Sequence, residues 1–174
     1  MAFFDILAHY PVLLAAFLVV TGLLVGSFLN VVIYRLPIMM RRDWERECAE
    51  LAGDASCQER PAEDVPEEVF NLATPNSHCP ACNHAIRAWE NIPVVSYVFL
   101  RGRCSACATP ISARYPAIEA CAALLAVTCG LVLEPGWTLV GAVLLSWSLL
   151  ALSMIDIDHQ LLPDQVTLPL LWLG

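Results

Sequence analysis

Four apolar runs, separated by polar stretches of very unequal length, organise the chain. The first extends from Val12 to Tyr34 without a charge. As a helix it would be about 35 Å long at about 1.5 Å per residue, enough for a hydrocarbon core of about 30 Å. Arg35 and Pro37 are expected to end it, which makes residues 1–34 a first span. The second run covers residues 117–133 and is interrupted only by Glu119, after which Glu134, Pro135 and Gly136 make a tight break. The third covers residues 137–155. A polar stretch, IDIDHQLLPDQ, then leads into a fourth run from Val166 to Gly174, too short to cross a bilayer alone. The pattern predicts an all-α polytopic membrane protein, with residues 156–174 forming a polar loop and the start of a truncated further span.

Composition supports membrane as the solvent. The 174 residues are 58% hydrophobic, with a mean hydropathy of +0.63, well above what a soluble domain of this size carries. The start of the chain has no basic region before its apolar run, so it reads as a retained span and not a removed signal peptide. The formal charge is −8; 21 of the 26 charged residues lie between Arg35 and Glu119, and all nine basic residues are Arg. Acidic residues are interspersed among them, so nucleic acid is not an expected partner. Every Arg falls between the first and second runs, which by the positive-inside rule makes that loop cytoplasmic. The loop divides into an acidic linker at residues 35–73, containing PAEDVPEE, and a segment at residues 74–116 punctuated by Cys, Pro and Gly.

That second segment holds Cys79-Pro-Ala-Cys82 and Cys104-Ser-Ala-Cys107, a CxxC-x21-CxxC pattern. Two such knuckles can set four sulfurs about one Zn²⁺ at about 2.3 Å each. A metal would supply folding free energy that so small a core lacks, and a cytosolic location disfavours structural disulfides. A zinc-ribbon-like insertion with a structural, closed site is the favoured reading. Thiol redox chemistry and a metal-free segment are the alternatives. His78 and His84 flank the first knuckle and either replace a sulfur or serve as polar turn residues. Cys121 and Cys129 sit in an apolar run, where Cys usually behaves as a small buried hydrophobe.

Asp156, Asp158 and Asp164 follow the third run directly. Carboxylates at the end of a membrane helix are costly unless they have a partner or a task. Asp158, His159 and Asp164 are read as the polar connection between two spans. Asp156 continues the helix past Ile155, where partial desolvation would suit it to share a proton with a second carboxylate, as in paired-aspartate proteolysis. Glu119, at the start of the second run, is expected to pair with Arg114 or to meet interfacial water.

Three stretches together, GSFLNVVIYRLP at 26–37, HCPACNHAIRAWENIPVVSYVFLRGRCSACATPISARYPAIEA at 78–120 and IDIDHQLLPDQVTLP at 155–169, resemble the bacterial type IV prepilin peptidases, or leader peptidase/N-methyltransferases. The resemblance implies an aspartic endopeptidase of the inner membrane that cleaves the basic leader of prepilins and pseudopilins on the cytoplasmic side. It also implies N-methylation of the new N-terminus with S-adenosylmethionine as donor. Asp156, followed by Pro163, matches the family's first catalytic aspartate, and Cys79, Cys82, Cys104 and Cys107 match its tetracysteine pairs; Asp158 and Asp164 are accompanying positions. The family's second catalytic aspartate lies in a GxGD motif, which does not occur in these 174 residues. The chain alone is therefore expected to be a truncated, inactive form. Gly26 and Gly102 are candidates for close backbone approach to the methyl donor, and Gly26 reads equally well as a helix-packing residue. Two other functions share the pattern: a membrane thiol oxidoreductase, whose cysteine pairs should face the oxidising side, and a non-enzymatic zinc-ribbon scaffold.

Overall fold

Residues 2–52, 71–72, 74, 82–83, 85 and 94–173 are described by a computed structural model. Six helices account for most of them: α1 (Ala2–His9), α2 (Pro11–Ala52), α3 (Val95–Phe99), α4 (Arg114–Val132), α5 (Trp137–His159) and α6 (Asp164–Leu173). Among the described residues there is no strand, only an isolated antiparallel bridge between Arg103 and Pro110. Three of the helices, α2, α4 and α5, are long and apolar enough to cross a membrane. They run alternately up, down and up, so that the C-terminal part of α2, the start of α4 and the end of α5 share one polar end.

The helices overrun the limits expected from the apolar runs, each for a local reason. α2 does not stop at Arg35 and Pro37 but continues to Ala52. Pro37 costs one backbone hydrogen bond, yet 11 of the 15 residues from Ile38 to Ala52 are Met, Arg, Glu, Ala or Leu, all strong helix formers, joined by an Asp43–Arg46 pair at 3.8 Å. α4 begins at Arg114 because Pro116 falls in its first turn, where no backbone N–H is needed. α5 runs through Asp156 and Asp158 to His159 and is closed by Gln160 in the left-handed conformation. The polar connection therefore starts later than expected, and Asp158 and His159 belong to the helix. α6 starts at Asp164, an acid placed favourably at a helix N-terminus.

The core is a seam between α2, α4 and α5. On α5, Leu139, Val143, Trp147, Ala151 and Ile155 recur every four residues and are all buried, the stripe expected of one helix face. On α4 the matching face is small: Ala122 and Ala126 are fully buried. Gly22 and Gly26 of α2 lie against it. A Cβ on Gly22 would stand 2.5 Å from Ala123 Cα, and one on Gly26 would stand 2.7 Å from Glu119 Cα. This is small-residue helix packing of the kind membranes favour, where tight backbone contact and not apolar burial drives association. Trp147 donates its indole N–H to the Ala122 carbonyl at 2.9 Å, which ties α5 to the same face. Val12, Leu24, Leu124, Leu131, Leu144 and Leu149 point outward, as suits helices whose solvent is lipid.

Candidate active site and metal cluster

At the polar end, Arg114 in the first turn of α4 meets Asp158 in the last turn of α5. Arg114 Nη1 donates to Asp158 Oδ1 at 2.9 Å and Nη2 donates to Oδ2, a two-pronged ion pair between residues far apart in the chain. Beside it, Asn30 of α2 donates from its side-chain amide to the Tyr115 carbonyl at 3.1 Å. These groups, with Tyr34 and His159, line a shallow cleft where α2, α4 and α5 converge.

Asp156 is in the same last turn, two residues before Asp158 and so about 200° around the helix at about 100° per residue. Its side chain is exposed and lies outside the cleft. Its backbone carbonyl accepts the Gln160 N–H at 2.8 Å, the bond that closes the helix. Asp164 is exposed at the start of α6, and Pro163 before it is fully buried, fixing the corner between the two helices.

Glu119 does not pair with Arg114, which is committed to Asp158. It is buried on α4, accepts the Val94 backbone N–H on Oε2 at 2.7 Å and hydrogen-bonds with Ser27 of α2. Val94 itself has φ 54°, a left-handed conformation that a β-branched residue adopts only when the surroundings impose it. Arg35, also buried, donates to the Asn71 carbonyl at 2.9 Å. Both charged groups thus tie segments of the loop to the polar end of the helices.

The second knuckle is formed by a tight loop. Cys104 N–H donates to Thr109 O at 2.9 Å, Ala108 N–H to Cys104 O at 3.0 Å and Ile111 N–H to Gly102 O at 2.7 Å. Gly102 takes φ +68°, and a Cβ there would stand 2.9 Å from the Tyr97 ring, so the position requires glycine for both conformation and space. The loop brings Cys104 and Cys107 together with Cys82, and the three sulfurs lie within 4.8 Å of one another. Cys82 and Cys104 Sγ are 4.0 Å apart, close to the spacing of about 3.8 Å implied by tetrahedral ligands at about 2.3 Å from zinc. Hydrogen bonds from the Thr109 side chain and backbone lower the Cys107 thiol to about 6, so it favours the thiolate that a metal needs. The cluster could hold a metal ion. Cys79, His78 and His84 lie outside the described residues. In the helices, Cys121 is exposed and not the buried hydrophobe expected, whereas Cys129 is partly buried with its Sγ 3.6 Å from Ser146 Oγ.

The contact between Arg114 and Asp158 and the anchoring by Asn30 had no signature in the sequence beyond an Asn inside an apolar run. Gly26, by contrast, proves to be a packing residue, its Cα side closed off by α4.

Comparison with known proteins adds to this geometry. A family model described as the bacterial peptidase A24 N-terminal domain matches residues 20–133, and one described as the type IV leader peptidase family matches residues 143–174. A protein of Stutzerimonas stutzeri named prepilin leader peptidase/N-methyltransferase is 52% identical over 98% of this chain and 56% of its own length. Relatives with the same name from Aeromonas hydrophila and Pseudomonas aeruginosa are 50% and 48% identical over 97% and 100% of the chain. The chain spans 56% and 58% of those two proteins. No solved structure matches.

Proposed function

The chain belongs to the bacterial A24 peptidase family, and on that premise we propose that it supplies the first half of a membrane aspartic endopeptidase that removes the leader of type IV prepilins and pseudopilins. The same protein would N-methylate the residue exposed by cleavage. The observation that carries this reading is the similarity, over nearly the whole of this chain, to the first part of relatives named for both activities. Asp156 is assigned as one of two catalytic carboxylates. Its exposed position at the end of a membrane helix leaves it open to a second carboxylate and to a peptide arriving at the polar end. In such a pair one aspartate takes a proton from the attacking water while the other protonates the scissile carbonyl. The partner aspartate is assigned to a GxGD motif outside these 174 residues.

Cys79, Cys82, Cys104 and Cys107 would hold a structural Zn²⁺, with no open position for catalysis. S-adenosylmethionine would donate the methyl group. The Arg residues of α2 and of the loop support a cytoplasmic polar end in the bacterial inner membrane.

The test joins this chain in frame to the part of the Stutzerimonas stutzeri relative that lies beyond the matched residues. The chimera is expected to cleave a purified type IV prepilin, Asp156→Asn in it to bind prepilin without cleaving it, and the 174-residue chain alone to be inactive. Cleavage by the Asp156→Asn chimera would remove Asp156 from the mechanism.

A further inference from the structure

We propose that the Arg114–Asp158 ion pair is a positioning device for Asp156, locking the rotation and the last turn of α5. This deepens the proposed function and rests on reading Asp156 as a catalytic carboxylate.

The packed seam fixes α5 only as far as Ile155, its last buried residue. Beyond it come Asp156, Ile157, Asp158 and His159, all exposed, in a turn whose final carbonyls lack partners within the helix. Two carboxylates at a helix C-terminus add repulsion from the helix dipole, so this turn would fray if left to itself. Asp158 sits three residues past Ile155 on the buried side of the helix, and Arg114 grips it there with both nitrogens. Arg114 is equally misplaced for its own helix, being a cation at the N-terminus of α4. Neither charge benefits the helix that carries it, and together they make a cross-helix tie. At 41% and 27% side-chain exposure the pair is too open to contribute much stability. What a two-pronged pair supplies is orientation. Two residues beyond Asp158, Gln160 holds the left-handed conformation at φ 53° and donates to the Asp156 carbonyl, a strained residue of the kind found beside functional groups. Asp156 is thereby held between the packed seam, which ends at Ile155, and a clamp and a cap two and four residues beyond it, with its own side chain exposed.

Two experiments test this. In the 174-residue chain, hydrogen exchange at the Gln160 amide is measured for Arg114→Lys, which keeps the charge but loses the planar fork. Faster exchange is expected, and unchanged exchange overturns the proposal. In the chimera, kcat and KM for prepilin cleavage are measured for Arg114→Lys, Asp158→Asn and the swap Arg114→Asp/Asp158→Arg. The single variants are expected to lose about tenfold to hundredfold in kcat with KM within about twofold, the loss that a misplacement of about 1 Å brings. The swap, which places each charge at the end its helix dipole favours, should recover most of kcat. Wild-type kcat in the single variants while Asp156→Asn is inactive overturns the positioning role and leaves the function standing. A folded swap variant with no recovery also overturns it. An active Asp156→Asn chimera would instead sink the underlying assignment.

Discussion

Glu119 shows how one buried acid can be explained by what it receives. Its Oε2 accepts the Val94 N–H at 2.7 Å at a point where the chain turns with φ 54°. The acceptor, and not the charge, is what Val94 needs, so Glu119→Gln retains an amide oxygen for that N–H and should change little. Glu119→Ala leaves the N–H without a partner and is expected to cost about 1–3 kcal/mol locally. The check is limited proteolysis of the segment around Val94 in detergent, where the Ala variant should be cut faster and the Gln variant should resemble the parent. Equal cutting of all three would show that Glu119 does not hold this segment. The sequence marked Glu119 as a membrane-edge acid but offered Arg114, five residues away, as its partner. Both of its actual partners, Ser27 and Val94, come from remote parts of the chain, and single-residue periodicity carries no information about them.

At the scale of the helix pair, α2 and α4 are held by absence of side chain. Gly22 and Gly26 stand one turn apart and face the small residues of α4. A side chain on Gly26 meets α4 backbone, which cannot rotate away, so Gly26→Ala is expected to force the helices apart and cost about 1–3 kcal/mol. Gly141 of α5 has nothing near its Cβ position, and Gly141→Ala is the matched control that should be neutral or slightly stabilising. Thermal unfolding in detergent measures both, and a Gly26→Ala melt that coincides with the control would contradict the close packing. The three spans were legible as apolar runs because their length and lack of charge are set by the membrane. Their ends were not, since Pro37 and Ile155 look like terminators until helix propensity beyond Pro37 and the Asp158–Arg114 contact are known. The place of Gly26 in an apolar run made packing one reading of it, and the approach of Glu119 Cα decided it.

For the whole molecule, two parts are stabilised by different physics. Among the described residues, no hydrophobic side chain between Leu36 and Ile118 is buried, whereas the helical core on either side is continuous. The described residues around Cys82, Cys104 and Cys107 bury no hydrophobic side chain to offset the entropy of ordering them, and a metal bound by the sulfurs would supply that free energy. The helices contain none of these cysteines and depend on packing in lipid. The CxxC pairs marked Cys82, Cys104 and Cys107 as one group in sequence, while the hydrogen bonds of the knuckle, with Gly102 at φ +68°, became visible only in three dimensions. Chelation is therefore expected to release about one zinc per chain, the stoichiometry of a four-thiolate site, and to expose the loop to protease while leaving helical circular dichroism of the bundle nearly unchanged. Cys104→Ser should reproduce the protease sensitivity without chelator. Helices that melt together with metal loss would show that the bundle needs the metal segment. A loop that resists protease equally with and without chelator would show that something other than the cysteine cluster holds it.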